Sequence, residues 1–581
     1  MKFLRNLLAS ILGFFISIFI LFFLFVGIAS LIGKEDAVVV KPNSVLELDL
    51  TTSIKDYAPK ESNPLGEVLG VENPSLSLEA ILNAIDNAQL DEKIKGISIQ
   101  TNFINAGIAQ TQAIRKKLID FKESGKFIYA YNDNYTQKNY YLSSVADSLF
   151  LNPVGQIDFK GLTSEVLYYK DFEDKYGVKM EVIRHGKYKS AVEPYLDNKM
   201  SEANREQISS FLNSIWSEYT KEISTARNIS VAELNTIADN SDGRNATLAL
   251  NNKLIDASIY EDQYLDKLDN ATNSKSKTIS IADYIKSGKG RISSTAKDKI
   301  AVIYAQGQII YGEGNQEIIG QGIINKAIKK AVKDKNVKAI VLRVNSPGGS
   351  ALASELIWRE LELAKKEKTL VVSMGNLAAS GGYYIACNAD IIVAEPTTIT
   401  GSIGVFGAIP NAYELSKKIG INAEQVATNN SANYSLFEPM DKKFYDVTKE
   451  GVEQIYTTFV NRVAKGRNMT FEKVDAIAQG RVWTGKEALE NGLVDELGSL
   501  DDAINAAAQL AELKSYKIRN YPNYEVDYKN MFKFSPFMSV NKDDILKEAL
   551  GDETFKLFKQ INEFKNLEGI QTRLPYIMEI K

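Results

Sequence analysis

Residues 339–349 read Ala-Ile-Val-Leu-Arg-Val-Asn-Ser-Pro-Gly-Gly, an apolar run that stops on a proline and two glycines. Bounded by turn residues in this way, it predicts a buried strand opening into a loop with accessible N–H groups. The surrounding chain keeps the same rhythm: Ile300–Tyr304, Leu370–Met374 and Ile391–Ala394 are further strand candidates, with helical patterns between them. Strands alternating with helices predict βαβ units and parallel sheets, an α/β fold. Slid along itself so that Lys95 falls on Lys338, the chain stays in register without a gap as far as Gly177 on Gly420. Asn102 then meets Asn345, Tyr140-Tyr141 meets Tyr383-Tyr384, Ala146-Asp147 meets Ala389-Asp390, Pro153 meets Pro396, and Gly161 meets Gly404. The fold is therefore expected twice. In the first copy the strands are Ile94–Ile99 and Phe127–Tyr131, with the helix Ile108–Phe121 between them. A strand over Val45–Leu50, a long amphipathic helix over Ser201–Arg227 and a polar linker at 273–297 complete the outline.

The two copies differ where chemistry would sit. Against Ser346-Pro-Gly-Gly349 and Ala379-Ser-Gly-Gly382 the first copy sets Phe103-Ile-Asn-Ala106 and Thr136-Gln-Lys-Asn139. Against Tyr188-Lys-Ser-Ala191 the second sets Ser431-Ala-Asn-Tyr434. One copy keeps a serine site and the other a lysine, which reads as a divided active site. Ser380 follows a strand and a short loop and precedes a helical stretch, Gly381–Cys387, so its hydroxyl would lie near free N–H groups at a helix start. The Ser346–Gly349 turn is suited to holding an oxyanion. Each element alone is ordinarily a cap or a turn; the combination makes it a site.

Composition narrows the chemistry. With 69 basic and 73 acidic residues, a formal charge of −4 and both signs interspersed, no nucleic-acid face is expected. Cys387 is the sole cysteine and His185 the sole histidine, which excludes a disulfide framework, a Cys-rich metal site and any two-histidine metal motif. No cofactor is expected. A serine nucleophile needs a base, and Lys189 is the candidate. To act near neutral pH its amine must drop roughly 3 units from about 10.4, at about 1.36 kcal/mol each, so about 4 kcal/mol of desolvation is required. A surface lysine cannot supply that; Tyr188, Ala191, Val192 and Pro194 beside it are compatible with burial.

From Asn6 to Gly33 the chain carries no charge and is almost wholly apolar. About 20 such residues span a bilayer, and secretory h-regions are shorter, at about 7–15, so an uncleaved anchor is expected rather than a signal peptide ending near Gly27-Ile-Ala29. Lys2 and Arg5 precede the span, which would leave the N-terminus cytoplasmic and the rest periplasmic in a bacterium.

The strand with Ser346-Pro-Gly-Gly349, the Ala378-Ala-Ser-Gly-Gly-Tyr-Tyr384 segment, the Thr400-Gly-Ser-Ile-Gly404 turn and Tyr188-Lys-Ser-Ala-Val-Glu-Pro194 together resemble bacterial signal peptide peptidase A, also called protease IV, in its long tandem-repeat, membrane-anchored form. The likeness covers about 45–510. It implies two tandem Clp/crotonase-like ββα-spiral repeats with an N-terminal transmembrane helix. The expected divisions are 1–34 (stub and anchor), 35–290 (repeat supplying the lysine), 291–519 (repeat supplying the serine) and 520–581 (a helical extension carrying Ile545, Leu546, Leu550, Phe555, Leu557 and Phe558). It further implies a Ser/Lys dyad with Ser380 as nucleophile and Lys189 as general base, Ser402 orienting the lysine, and Gly348 or Gly349 donating to the oxyanion. The implied setting is a homotetramer at the inner membrane that degrades cleaved signal peptides and other short hydrophobic peptides. Competing readings are a crotonase-like acyl-CoA enzyme and an inactive scaffold. Gln137, standing where the second copy has its serine, predicts no second active centre. His185 is expected at the surface or behind the site, Cys387 in the core, and the tyrosine pairs and Gly404 in shared packing and turn roles.

Overall fold

The computed structural model describes residues 2–32, 38–59, 75–524 and 571–573. The helix expected around Ile545–Phe558 lies outside the described residues. Lys2–Ile32 is one helix, and Arg5–Leu24 within it is long and apolar enough to cross a membrane, with none of that stretch buried against the rest of the protein.

The first repeat is built on a six-stranded parallel sheet in the order Ala257–Ser258, Ser148–Ile157, Phe127–Tyr135, Ile94–Ile99, Ser44–Leu48 and Lys277–Ser280. Ile94, Ile97 and Ile99 are fully buried, as expected for a central strand covered on its faces by helices. The helices Leu78–Leu90 and Ile108–Lys122 pack on one another and carry the chain between strands. The long helix runs Glu202–Arg227 with Ser201 as its cap, the Ser201 hydroxyl accepting from Asn204 N at 3.2 Å. Part of the stretch read as a linker is ordered: Lys277–Ser280 forms the edge strand on Ser44–Leu48, and Ile281 and Tyr284 are buried just beyond it. Its polar composition hid an edge strand, which has only one neighbour and need not be continuously apolar.

The second repeat carries an eight-stranded sheet. Its main path is Val482–Thr484, Ile399–Gly401, Thr369–Ala379, Val337–Ser346, Lys299–Gln306 and Lys517–Tyr521, with Ile391–Ala394 beside Thr369–Ala379. All of these pair parallel except Val482–Thr484, which runs antiparallel to Ile399–Gly401. The strand expected over Leu370–Met374 continues to Ala379, and no loop precedes Ser380. It continues because Val371–Met374 pair with Ile391–Ala394, after which Leu377–Ala379 find a second neighbour in Ile399–Gly401.

A third, mixed sheet joins the halves: Ile318–Gly320, Gln308–Ile310, Gly348–Ser350, Gln571–Arg573, Val405–Asn411 and Lys179–His185. Lys179–His185, from the first repeat, lies antiparallel on Val405–Asn411 of the second over seven consecutive pairs, from Asn411 opposite Lys179 to Val405 opposite His185. The cores also merge, since Ala379, Ile399 and Val482 pack into the first repeat's cluster. Asp56, in the leading segment, forms a buried ion pair with Arg343 at 2.9 Å, with Asn345 donating to the same carboxylate at 2.6 Å.

Candidate active site

The strand Thr369–Ala379 runs straight into Ser380, and the helix Gly381–Ala386 starts at once. Ser380 is caught between them at φ 55° and ψ −115°, a backbone that L residues other than glycine adopt only under constraint. Two bonds impose it: Ser380 N donates to Gly401 O at 2.8 Å, and Tyr384 N donates to Ser380 O at 2.8 Å. The bend turns the side chain out of the sheet toward the first repeat's lysine.

Lys189 reaches it along the shared sheet. Beyond His185 the chain turns at Gly186 (φ 106°), and Lys189 follows three residues later. Its Nζ lies 3.0 Å from Ser380 Oγ, 3.0 Å from Ser402 Oγ and 3.2 Å from Ser402 O. The side chain is fully buried, with the Phe406 ring 5.9 Å from Nζ. Burial alone pulls its pKa down to about 7, because an ammonium in this apolar setting loses its hydration. Above that pH the amine is neutral and carries a lone pair able to accept a proton.

The Ser346–Gly349 turn borders the helix that follows Ser380. Ser346 Oγ donates to Gly307 O at 2.6 Å, and Gly348 N donates to Ser346 Oγ at 3.1 Å. Gly348 (φ 94°) and Gly349 (φ 155°) both hold backbone that excludes a side chain, and a Cβ on Gly349 would stand 2.0 Å from Ile309 O. A Cβ on Gly382 would approach Ser346 O to 2.8 Å, so turn and helix are in contact.

One element was not read from sequence: the loop Ala478–Arg481 holds the lysine and the second serine together. Tyr188 N donates to Gln479 O at 2.8 Å, Gly480 N donates to Ile403 O at 2.8 Å, and Ser402 N donates to Arg481 O at 2.7 Å. Gly480 (φ 82°) lies so close that a Cβ there would meet Lys189 N and Cβ at 2.6 Å. Its available signal was the glycine inside Gln479-Gly-Arg481, which the strand-turn-helix at 481–488 does not need. Gly404 also departs from the turn role it was given. Its counterpart Gly161 has φ 86° and open space, whereas a Cβ on Gly404 would meet Gly480 Cα at 2.8 Å and Lys189 Cδ at 3.2 Å. The close backbone of Gly480, with the lysine stem just beyond it, is what keeps Gly404 bare.

The family profile for peptidase family S49 matches residues 120–275 and 362–514, one segment in each repeat. Protease 4 of Haemophilus influenzae is 38% identical over 471 residues, covering 78% of this chain and 77% of that protein. The chain belongs to peptidase family S49. Protease 4 of Salmonella typhi is 39% identical over 527 residues, covering 86% of this chain and 84% of the relative. The chloroplastic serine protease SPPA of Arabidopsis thaliana is 32% identical over 557 residues, covering 93% and 78%. The protein is thus a serine protease of the S49 type, acting on peptides, and the acyl-CoA and scaffold readings fall away.

The remaining S49 residues singled out from sequence sit apart from the Lys189–Ser380 contact. His185 Nδ1 bonds Glu453 at 2.6 Å and its ring stacks on Tyr456 at 3.7 Å. Cys387 is buried, its Sγ donating to Tyr384 O at 3.2 Å, and burial pushes its thiol up to about 12. Tyr140 and Tyr383 play matching parts, donating to Leu254 O at 3.1 Å and Leu493 O at 2.8 Å. In the first repeat Gln137 occupies the position matching Ser380. Its amide bonds Gly161 on both sides, donating to O at 3.0 Å and accepting from N at 2.9 Å.

Proposed function

We propose that this S49 protease cuts peptides with a Ser380/Lys189 dyad assembled across its two repeats, about 35–290 giving the base and 291–519 the nucleophile. The observation that carries the reading is the 3.0 Å contact between Lys189 Nζ and Ser380 Oγ, both side chains buried and both coming from one chain. Neutral Lys189 takes the hydroxyl proton as Oγ attacks the scissile carbonyl. Charge developing on the carbonyl oxygen is met by N–H groups of the Ser346–Gly349 turn, from Gly348 or Gly349. The ammonium then protonates the leaving amine, leaving an acyl ester on Ser380. Water, deprotonated by the same lysine, hydrolyses the ester and restores the pair. Ser402 fixes the amine through its hydroxyl and carbonyl oxygens, and the carbonyl favours the transient ammonium.

The Arg5–Leu24 helix and the Lys2/Arg5 charge bias support anchoring in a bacterial inner membrane with the N-terminus cytoplasmic and the catalytic part periplasmic. Held there, the enzyme would receive cleaved signal peptides and other short hydrophobic peptides. The resemblance that points to this substrate class also supports a homotetramer. A fluorophosphonate probe tests the chemistry: we expect a covalent adduct mapped by mass spectrometry to Ser380, and none in folded Lys189→Ala protein. An adduct on another serine, with Ser380 unmodified, would refute the assignment.

A further inference from the structure

Tyr456 is buried on the helix Lys442–Gly466, which packs against Lys179–His185 and Val405–Asn411. It meets the lysine segment from two sides. Its ring lies on that of His185, with centroids 3.7 Å apart, just before the chain turns at Gly186. Its hydroxyl donates to Asp475 and accepts from Gln479, from Nε2 at 3.1 Å and from the backbone N at 3.4 Å. Asp475 also accepts from Gln479 Nε2 at 2.7 Å, so phenol, carboxylate and amide form a closed triangle. Gln479 needs that hold, because it stands at φ 56°, in the left-handed region that residues with a side chain seldom adopt. Its carbonyl is thereby aimed at the lysine turn. There it accepts from Tyr188 N at 2.8 Å, and a Cβ on Gly186 would stand 2.5 Å from it. Tyr188 is the residue before Lys189.

We infer that Tyr456 is a positioning residue for the general base: its hydroxyl, by holding Gln479, fixes the turn that carries Lys189. The inference rests on the proposed dyad and adds the support behind it. The stack on His185 only seats the ring, and a flat amide at 185 would seat it as well. No proton passes through Tyr456. Burial, and then Asp475 beside it, hold the phenol well above its ordinary range, so it remains a fixed donor to the carboxylate. Without the hydroxyl, Gln479 loses the acceptor of its backbone N–H, and the turn it holds is free to swing. Two results follow. Lys189 Nζ leaves its line to Ser380 Oγ, and water that reaches the amine restores part of its hydration.

The test is Tyr456→Phe in the full chain, which keeps the ring and removes only the hydroxyl. For an apolar fluorogenic peptide we expect kcat to fall about tenfold with KM within twofold, because a displaced base costs rate and leaves substrate contacts intact. Fluorophosphonate labelling of Ser380 at pH 7 should slow about tenfold. Its midpoint on the pH axis should rise by about one unit, since a lysine that regains water holds its proton longer. That midpoint is the reading that general weakening of the fold would not move. Asp475→Asn, which leaves the phenol in place and removes its charged acceptor, should lower kcat about threefold and raise the midpoint by about half a unit. If Tyr456→Phe fails to fold by circular dichroism, Asp475→Asn decides by the same two readings. A kcat within twofold of wild type, or a fall in kcat with the midpoint unmoved, would overturn the inference. Wild-type protein that never labels at Ser380 would sink the dyad reading and this inference with it. Normal wild-type labelling that Tyr456→Phe leaves unaltered would sink this inference alone.

Discussion

Replacing Lys189 by methionine is expected to lower kcat about 10³-fold while raising the apparent melting temperature at pH 7. The first effect follows from loss of the amine that lies 3.0 Å from Ser380 Oγ. The second follows from burial. Folding drags the lysine pKa from 10.5 to about 7, which at about 1.4 kcal/mol per unit is a cost of about 5 kcal/mol near neutrality. Its three hydrogen bonds return about 1 kcal/mol each, so a methionine of similar length leaves a net gain of about 2 kcal/mol. The sign with pH is fixed by linkage. The native pKa lies below the unfolded one, so between about pH 7 and 10.5 the unfolded chain binds the extra proton and wild-type stability rises with pH. The advantage of Lys189→Met should therefore shrink steadily toward pH 10.5 in paired melting curves. A variant less stable than wild type at pH 7 and equally so at pH 10 would show that the lysine is not held in a desolvated state.

Gly480→Ala is expected to lose about 10²-fold in kcat/KM although residue 480 has no side chain to take part in the chemistry. The new Cβ would stand 2.6 Å from Lys189 N and Cβ, and those backbone-linked atoms cannot swing away as a side-chain tip would. Alanine at φ 82° adds strain of about 1 kcal/mol. The lysine segment must shift by several tenths of an ångström, and misplacement of about 1 Å costs on the order of 10²-fold. The readout that separates positioning from general weakening is kcat: it should carry the loss, with KM within threefold and the protein still folded by circular dichroism. Activity within threefold of wild type would remove the Ala478–Arg481 loop from the machinery.

What sequence disclosed and what it hid follow a physical line. Parallel strands buried on both faces leave continuous apolar runs, so Ile94–Ile99 and the body of Val337–Ser346 were legible, as was the doubling that sets Tyr140 over Tyr383. The split of Ser380 and Lys189 between copies was legible because the repeat gives each residue a counterpart lacking its chemistry. Lys179–His185 and Val405–Asn411 were not. They pair with each other across the two repeats, Lys179–His185 at a sheet edge, and no local pattern records a partner in the other half of the chain. The Gln479–Arg481 contacts were hidden for the same reason: they are main-chain bonds, indifferent to side-chain identity except at Gly480. The strand Gln571–Arg573 is three residues long, too short for any periodicity to announce it.

The rate of Ser380 labelling by a fluorophosphonate, followed from pH 5 to pH 10, tests the claim that a neutral, desolvated lysine activates this serine. We expect the rate to climb about tenfold per pH unit at the acid end and to level off above a midpoint near 7, as Lys189 loses its proton. The same midpoint should persist in His185→Gln and disappear in Lys189→Met. A titration that survives the loss of Lys189 but vanishes with His185 would contradict the account.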